Sequence, residues 1–438
     1  MPHDSDLTPN TARHGSTTGA TSPMTDLTTA EAKDGWTPLL RAAFADDAEK
    51  VKALLAAGAD ADQGFPDDGR SWSGYSPLLL AVREASTSAV RALMGRAKID
   101  LRHARSGKTA LYTSVQLARL ECLRVLVDGG AAVDVPTAHG RTPLFQAACL
   151  GNAKLVRILV DAGANVNLTS TGAAAGFQPG LTALHTAGKL CHCPCRRRRA
   201  AGRHRPNSSP LPSSHPAELG NLEIMRTLVD KGAAVNATSN DGSTPLHLAA
   251  QMDNDLAAFF LVDEGADVNA FTNTGSTAAW FCARMGYIDT LRTLSEFANA
   301  DLNLSDSGGH TPVFMAAREG RLEVVEYLAQ RTGIDLDAPN SSGCTPAFAA
   351  AERGFQEILW VLAYHGADLG RLDNAGDTLL HAAGRNGNLD TLKYLLQNGL
   401  PIDHASGEGG SALFVTALNN HAECVRFRKF TVGVSRPA

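Results

Sequence analysis

Cysteine is scarce in this chain: eight in 438 residues, at positions 122, 149, 191, 193, 195, 282, 344 and 424, most of them isolated. So thin a supply argues against a disulfide framework and fits a reducing compartment. Long apolar runs are missing too. No stretch approaches the roughly 18 consecutive apolar residues of a membrane span, and residues 1–33 have neither the basic start nor the apolar centre of a secretory signal. The expected location is inside the cell, cytoplasmic or nuclear. Large apolar side chains are nearly absent from residues 1–33, which are rich in Thr, Ser, Asp and Pro. Such a segment cannot bury enough surface to offset the entropy of ordering, so a disordered tail is predicted, within which Met24 is a second candidate start. From there on the chain is well supplied. With 44% hydrophobic and 19% charged residues overall, it can bury a large core and exceeds a single small globule.

From Asp34 one pattern recurs. "DGWTPLLRAA", "SGKTALYTSV", "HGRTPLFQAA", "DGSTPLHLAA" and "GGHTPVFMAA" share a Gly followed two residues later by Thr or Ser, then usually Pro or Ala. The glycines are Gly35, Gly74, Gly107, Gly140, Gly180, Gly242, Gly275, Gly309, Gly343, Gly376 and Gly410, spaced by 39, 33, 33, 40, 62, 33, 34, 34, 33 and 34. Each unit makes sense as a turn followed by two helices. Gly supplies positive φ, the Thr or Ser hydroxyl caps the first helix, and Pro fits the first helical position, where no N–H is needed. In the unit at Gly242, Leu246, Ala249 and Ala250 form one apolar stripe whose small alanines allow close helix approach. "GNLEIMRTLVDKGAAVN" supplies a second helix, with Asn221 expected as N-cap, Glu223 at the positive end of the dipole, Met225, Leu228 and Val229 inward, and Gly232 in the left-handed conformation after its end. One unit cannot bury its own apolar face, whereas stacked units can, so a solenoid is predicted.

The unit resembles the ankyrin repeat, with its Gly-x-Thr-Pro-Leu-His opening and Gly-Ala-x-Val-Asn close. The best matches are "DGSTPLHLAA", "KGAAVN", "AGANVN" (162–167) and "EGADVN" (264–269). Eleven units run from about residue 34 to 427. The resemblance implies an all-α ankyrin-repeat solenoid of stacked helix-turn-helix units with projecting β-hairpin loops, which binds other proteins and carries no catalysis of its own.

Motifs that imitate chemistry are absorbed by the repeat. "SGKT" (106–109) lacks the glycine that a phosphate-binding loop needs five residues before Gly107, where Arg102 stands. "GEGGSA" (407–412) has no buried strand before it, and its Gly410-Ser411 pair is the ordinary opening. His185, His247 and His381 share one repeat position with Leu40, Leu79, Tyr112, Phe145, Trp280, Phe314, Phe348 and Phe414, which makes it a packing position rather than a place for a general base. No catalytic constellation, metal site or cofactor site is expected.

The interval of 62 is the exception. Removing the 29 residues 188–216 leaves 33, and the joined sequence "GLTALHTAAELGNLEIMRTLVDKGAAVN" is an unbroken repeat. In that register the insertion falls inside a first helix, between Ala187 and Ala217. It carries Pro194, Pro206, Pro210, Pro212 and Pro216 into a packed helix, where one proline costs about 3 kcal/mol. The fold is expected to reject it. Cys191, His192, Cys193 and Cys195 are metal-ligand types without the spacing of common zinc modules. The arginines at 196–199, 203 and 205 are the residue type of a nuclear-import or nucleic-acid patch, but with Lys189 they contribute +7 to a net charge of −5, leaving −12 on the rest, a poor match for nucleic acid. Gly188-Lys189 can be encoded with a splice-donor GTAAG, and a pyrimidine-rich tract can close the segment before Ala217. "RKFTVGVSRPA" (428–438) likewise abandons the pattern after another possible donor, as an irregular tail beyond which the natural chain is expected to continue. Leu413, Leu418 and Val425 should then be poorly covered.

Two fingers exceed the period. One includes Phe65, Trp72 and Tyr75, and the other, "TSTGAAAGFQPG" (169–180), includes Phe177. Exposed loop aromatics are typical interface anchors; the competing expectation is that they fold back onto the adjacent repeat. Function is expected in the hairpin tips and the concave first-helix surface of a protein-interaction scaffold. The alternative is the substrate-recruiting part of a larger enzyme, of kinase or ubiquitin ligase type, whose catalytic domain is absent from this chain. Sequencing the mature transcript is expected to find the codons for 188–216 removed; their retention in the main form would refute the translated-intron reading.

Overall fold

A hydroxyl opens nearly every unit. The computed structural model describes residues 35–66, 72–172, 179–189, 216–407 and 409–425. Within it Thr37, Ser76, Thr109, Thr142, Thr244, Thr277, Thr311, Thr345 and Ser411 are extended N-caps, each accepting the backbone N–H three residues on. The first helices that follow are Pro38–Phe44, Pro77–Glu84, Ala110–Gln116, Pro143–Cys149, Ala183–Lys189, Pro245–Gln251, Ala278–Met285, Pro312–Arg318, Pro346–Arg353, Leu379–Arg385 and Ala412–Leu418. After a short turn comes the second helix: Ala48–Ala56, Thr87–Leu93, Leu120–Asp128, Ala153–Asp161, Pro216–Asp230, Asp255–Asp263, Ile288–Arg292, Leu322–Ala329, Gln356–Tyr364 and Leu389–Gln397. The last repeat has helical residues at 422–425.

The described residues contain no β-strand, only an isolated bridge between Ala405 and Ser411. Each projecting hairpin has one rung. Ser239 N–H donates to the Ser243 carbonyl and Gly242 N–H to the Ser239 carbonyl, both at 2.9 Å, with Gly242 at φ 78°. The same pair of bonds in the last unit joins Ser406 to Gly410 and Gly409 to Ser406, and Gly409 has φ 80°. The register glycine there is therefore Gly409 rather than Gly410, and the last spacing is 33. The offset of two residues between glycine and cap, applied to Ser411, also selects Gly409.

First helices pack on first helices and second on second, unit after unit. Ala249 and Ala250 are fully buried, as are the equivalent Ala316 and Ala317, and one apolar core runs from Leu39 to Cys424. Three sets of polar links join the same layers. The Asp or Asn that closes a repeat accepts a backbone N–H from the close of the next: Asp62 from Lys98, Asp100 from Ala132, Asp134 from Asn165, Asn167 from Ala234, Asn236 from Asp267, Asn269 from Asp301, Asn303 from Asp335 and Asp337 from Asp368, at 2.8 to 3.1 Å. The series stops at Gly370, which has no side chain to accept. Hairpin tips are tied backbone to backbone, as in Asn273 N–H to the Asp241 carbonyl at 2.9 Å.

The third set uses the buried histidines. Thr244 N–H donates to His247 Nδ1 at 3.1 Å, which makes Nδ1 the acceptor, so Nε2–H donates to the Ser276 carbonyl of the next repeat at 3.1 Å. His185 does the same between Thr182 and Ser243, at 3.2 and 2.9 Å, and His381 between Thr378 and Gly410, at 3.1 and 3.0 Å. The position packs, as expected, but in these three repeats it is also a polar bridge.

In the fifth repeat the chain departs from the expected register. Its first helix, Ala183–Lys189, is complete before any of the inserted prolines. Gly188 fills the buried slot that Ala250 holds next door, and Asn254 Nδ2 donates to its carbonyl at 3.3 Å, as Asn388 does to Ala351 at 3.0 Å. The interruption thus falls at the end of the helix, not inside it, and residues 190–215 lie outside the described residues. Pro216 opens the second helix, which runs through to Asp230. Pro lacks an N–H and fits that first position, and Ala217, Glu218 and Leu219 are good helix formers. Asn221 is consequently inside the helix and 3% exposed rather than its N-cap. Met225 and Leu228 are fully buried, Val229 partly, and Gly232 has φ 84°. In the last repeat Leu418 is 69% exposed and Phe414 56%, while Leu413 and Val425 are half-buried.

Burial pushes His185 down to about 4 and lowers His247, because a proton on Nδ1 would face the threonine N–H in a dry site. A pKa below that of the unfolded chain means that the unfolded state binds the proton first. The stability is present above about pH 6.5 and lost as pH falls toward 4, on the order of 3 kcal/mol for His185. Urea unfolding at a series of pH values should show this fall, and His185→Phe, with the residue that Phe145 supplies elsewhere, should flatten part of it.

Candidate partner-binding surfaces

The long first finger folds onto repeats one and two. Phe65 N–H donates to the Tyr75 carbonyl at 3.0 Å and Gly74 N–H to the Phe65 carbonyl at 3.2 Å, which closes the finger over the first helices. Phe65 is 8% exposed and packs with Leu40 and Leu80; Trp72 and Tyr75 are half-buried against the same cluster. Trp36 meets Phe65 edge-on at 4.9 Å and Phe44 at 5.4 Å. The Arg83 guanidinium lies 4.4 Å from the Trp72 ring centroid and 5.4 Å from that of Tyr75. Three of the four sequence-selected aromatics therefore come together. Phe44, at 42% exposure, and Trp36 join them, although both read as ordinary repeat residues in the sequence. Phe177 lies outside the described residues.

A second surface is a groove of about 230 Å³ across repeats eight to ten. Hairpin residues His310, Asn340, Cys344 and Asp373 line one side, and the first helices contribute Phe314, Arg318, Phe348, Glu352, Ala382 and Arg385. His310 Nδ1 lies 2.9 Å from Asp306 Oδ1, and Arg385 pairs with Asp377, whose carboxylate is buried. The groove therefore offers aromatic walls with charges of both signs at its rim. Burial, with Asp373 nearby, pushes the Cys344 thiol up to about 11, so it is protonated near neutral pH and no nucleophile. Cys282, fully buried, is raised well above the ordinary thiol value.

A third surface belongs to the second helices: Phe259, Phe297, Trp360 and Tyr364 are 48%, 66%, 55% and 73% exposed. Sequence reasoning missed them, although the signal was available, because Phe259 and Trp360 interrupt a repeat position that is basic in most other units.

The described residues hold no group of three or more His, Cys, Asp or Glu arranged for a metal ion, and no described helix is long and apolar enough to cross a membrane. The described cysteines are free thiols. Profiles of ankyrin repeats match residues 34–64, 78–170, 214–306, 259–340, 281–373 and 349–427. Among curated proteins, cortactin-binding protein 2 of Ornithorhynchus anatinus is 48% identical over 50 residues, 11% of this chain and 3% of its own length. The nuclear factor NF-kappa-B p105 subunit of Rattus norvegicus is 38% identical over 64 residues, 14% of this chain and 7% of its own length. These matches span only a small fraction of either relative.

Trp72→Ala should destabilise the first two repeats by about 2 kcal/mol through lost packing, measured by hydrogen exchange of their helices. Unchanged exchange together with lost partner binding would instead mark Trp72 as an anchor.

Proposed function

The chain belongs to the ankyrin-repeat family, whose repeats are protein–protein interaction modules, and from that premise we propose that it is a non-enzymatic scaffold or adaptor inside the cell. Its partner is a protein segment held between the hairpins and the first helices of repeats eight to ten. The observation that supports this reading is the division of labour among the groove residues. The links between repeats are made by alanines, closing Asn and Asp side chains and backbone, whereas the side chains of Arg318 and Glu352 stand at the rim with no part in those rungs. Phe314 and Phe348, 3% exposed each, supply a rigid floor, and a mixed-charge rim suits a segment that carries both signs. The raised thiols and the bridging role of the buried histidines support the non-enzymatic part of the reading.

Exchanging the rim charges with Arg318→Glu and Glu352→Arg should leave the melting midpoint within about 2 °C of the parent. The same exchange should weaken capture of the chain's protein partners by about tenfold or more, quantified by mass spectrometry against the parent chain. Capture unchanged by the exchange would refute the groove as the binding site.

A further inference from the structure

The second helices present one outward position, two residues before a buried leucine. It carries Lys52, Arg91, Arg124, Arg157 and Arg226 in the first five repeats, Arg292 in the seventh, Glu326 in the eighth and Lys393 in the tenth, but Phe259 in the sixth and Trp360 in the ninth. A lysine or arginine stem with its charge in water is the ordinary solution for such a site. An indole and a phenyl ring about half exposed there are not required by the stack. Each has a ring partner that is also exposed: Phe297 meets Phe259 edge-on at 5.7 Å, and Tyr364 stacks on Trp360 at 5.4 Å with 18° between the planes.

Phe297 reaches that place through a local irregularity. Its repeat spans 34 residues instead of 33, and the extra residue is housed in the π turn Thr293–Phe297 that continues Ile288–Arg292. The Ala300 N–H donates to the Leu294 carbonyl, whereas in the preceding repeat Ala266 N–H donates to Leu261, one residue nearer. Such turns inside helices are frequent at functional sites. Between the two aromatic pairs, Tyr327 of the eighth repeat lies under Arg292 and Arg331, at 5.4 and 4.6 Å from its ring centroid, and its hydroxyl reaches Glu296 at 3.1 Å. The face is thus continuous from the sixth repeat to the ninth.

Its charge is negative on balance, with the arginines outnumbered by carboxylates. Asp263, Glu264, Asp289, Glu296, Glu323 and Glu357 are exposed on these helices and their ends. The arginines of the same helices are engaged locally: Arg292 and Arg331 over Tyr327, Arg331 also with Glu296, and Arg321 Nε to the Arg284 carbonyl at 3.1 Å. Aromatic anchors within an acidic surround suit an apolar stripe flanked by cations, and they repel anionic lipid.

We propose that the second-helix face of repeats six to nine docks a basic, amphipathic helix of another protein. Its apolar stripe covers Phe259, Phe297 and Trp360, and its lysines or arginines meet the surrounding carboxylates. This surface lies in the other helical layer from the first-helix groove, so the two sites are independent.

The test uses the full chain and a fluorescent peptide of about 18 residues, made of leucine and lysine patterned as an amphipathic helix, followed by anisotropy. Saturable binding is expected, weakened about tenfold or more by Phe297→Ser with Trp360→Ser and by Asp263→Lys with Glu264→Lys. All four side chains are exposed, so the melting midpoint should move by about 2 °C or less, and the Arg318→Glu, Glu352→Arg chain should bind the peptide like the parent. The proposal is overturned by absence of saturable binding, by equal binding of a leucine and glutamate peptide of the same pattern, or by loss of binding in the groove exchange alone. It is also overturned if sedimentation shows that the face is covered by a second copy of this chain, through self-association abolished by the same serine substitutions.

Discussion

No repeat in this chain can bury its own apolar face, and everything else follows from that constraint. A pair of helices seven to nine residues long exposes one stripe of leucines, valines and alanines that only the next pair can cover. The alanines set the distance, because a pair of buried small side chains in most first helices lets neighbouring helices approach until their backbone groups come within reach of each other's loops. At that distance a closing Asn or Asp can cap the next repeat's backbone, and a histidine can reach the next hairpin's carbonyl. The polar rungs are a consequence of the apolar stacking, and they fix its register.

The same constraint divides the surface. Side chains that serve the stack recur at every period, and those free of it are recognised because they break the period. Glu352, acidic where Arg83, Arg284, Arg318 and Arg385 stand in other repeats, the aromatic pairs of the second helices and the cluster around Trp72 are all departures of this kind. Phe65 shows the limit of the rule, since it sits on an irregular finger and is nevertheless buried among Leu40 and Leu80.

Extra residues are accommodated where they leave the rungs intact. The single additional residue of the seventh repeat is taken up by a π turn at the end of a second helix, downstream of the buried Leu291 and around Leu294. The far larger interruption of the fifth repeat falls between the end of one helix and the start of the next, with Gly188 standing in for an alanine and Pro216 in a position that needs no N–H. In both cases the contacts to the neighbours on either side persist.

The sequence by itself determined the fold. Gly, Thr and Pro at fixed offsets are local signals, each with a local physical reason, and their recurrence at 33 residues forces a stack whatever the identity of the remaining side chains. It also determined that His185, His247 and His381 are packed, because Phe and Leu share their position. Other features depended on contacts between residues far apart in the chain, and only the tertiary structure decided them. Whether His381 also bridges two repeats rested on the Gly410 carbonyl, 29 residues further along the chain. Whether Trp72 is covered rested on Arg83 and Trp36 arriving from neighbouring elements. Period and turn chemistry are properties of a few adjacent residues, whereas exposure is a property of the whole stack. For that reason the architecture was legible in the sequence and the surfaces open to a partner were not.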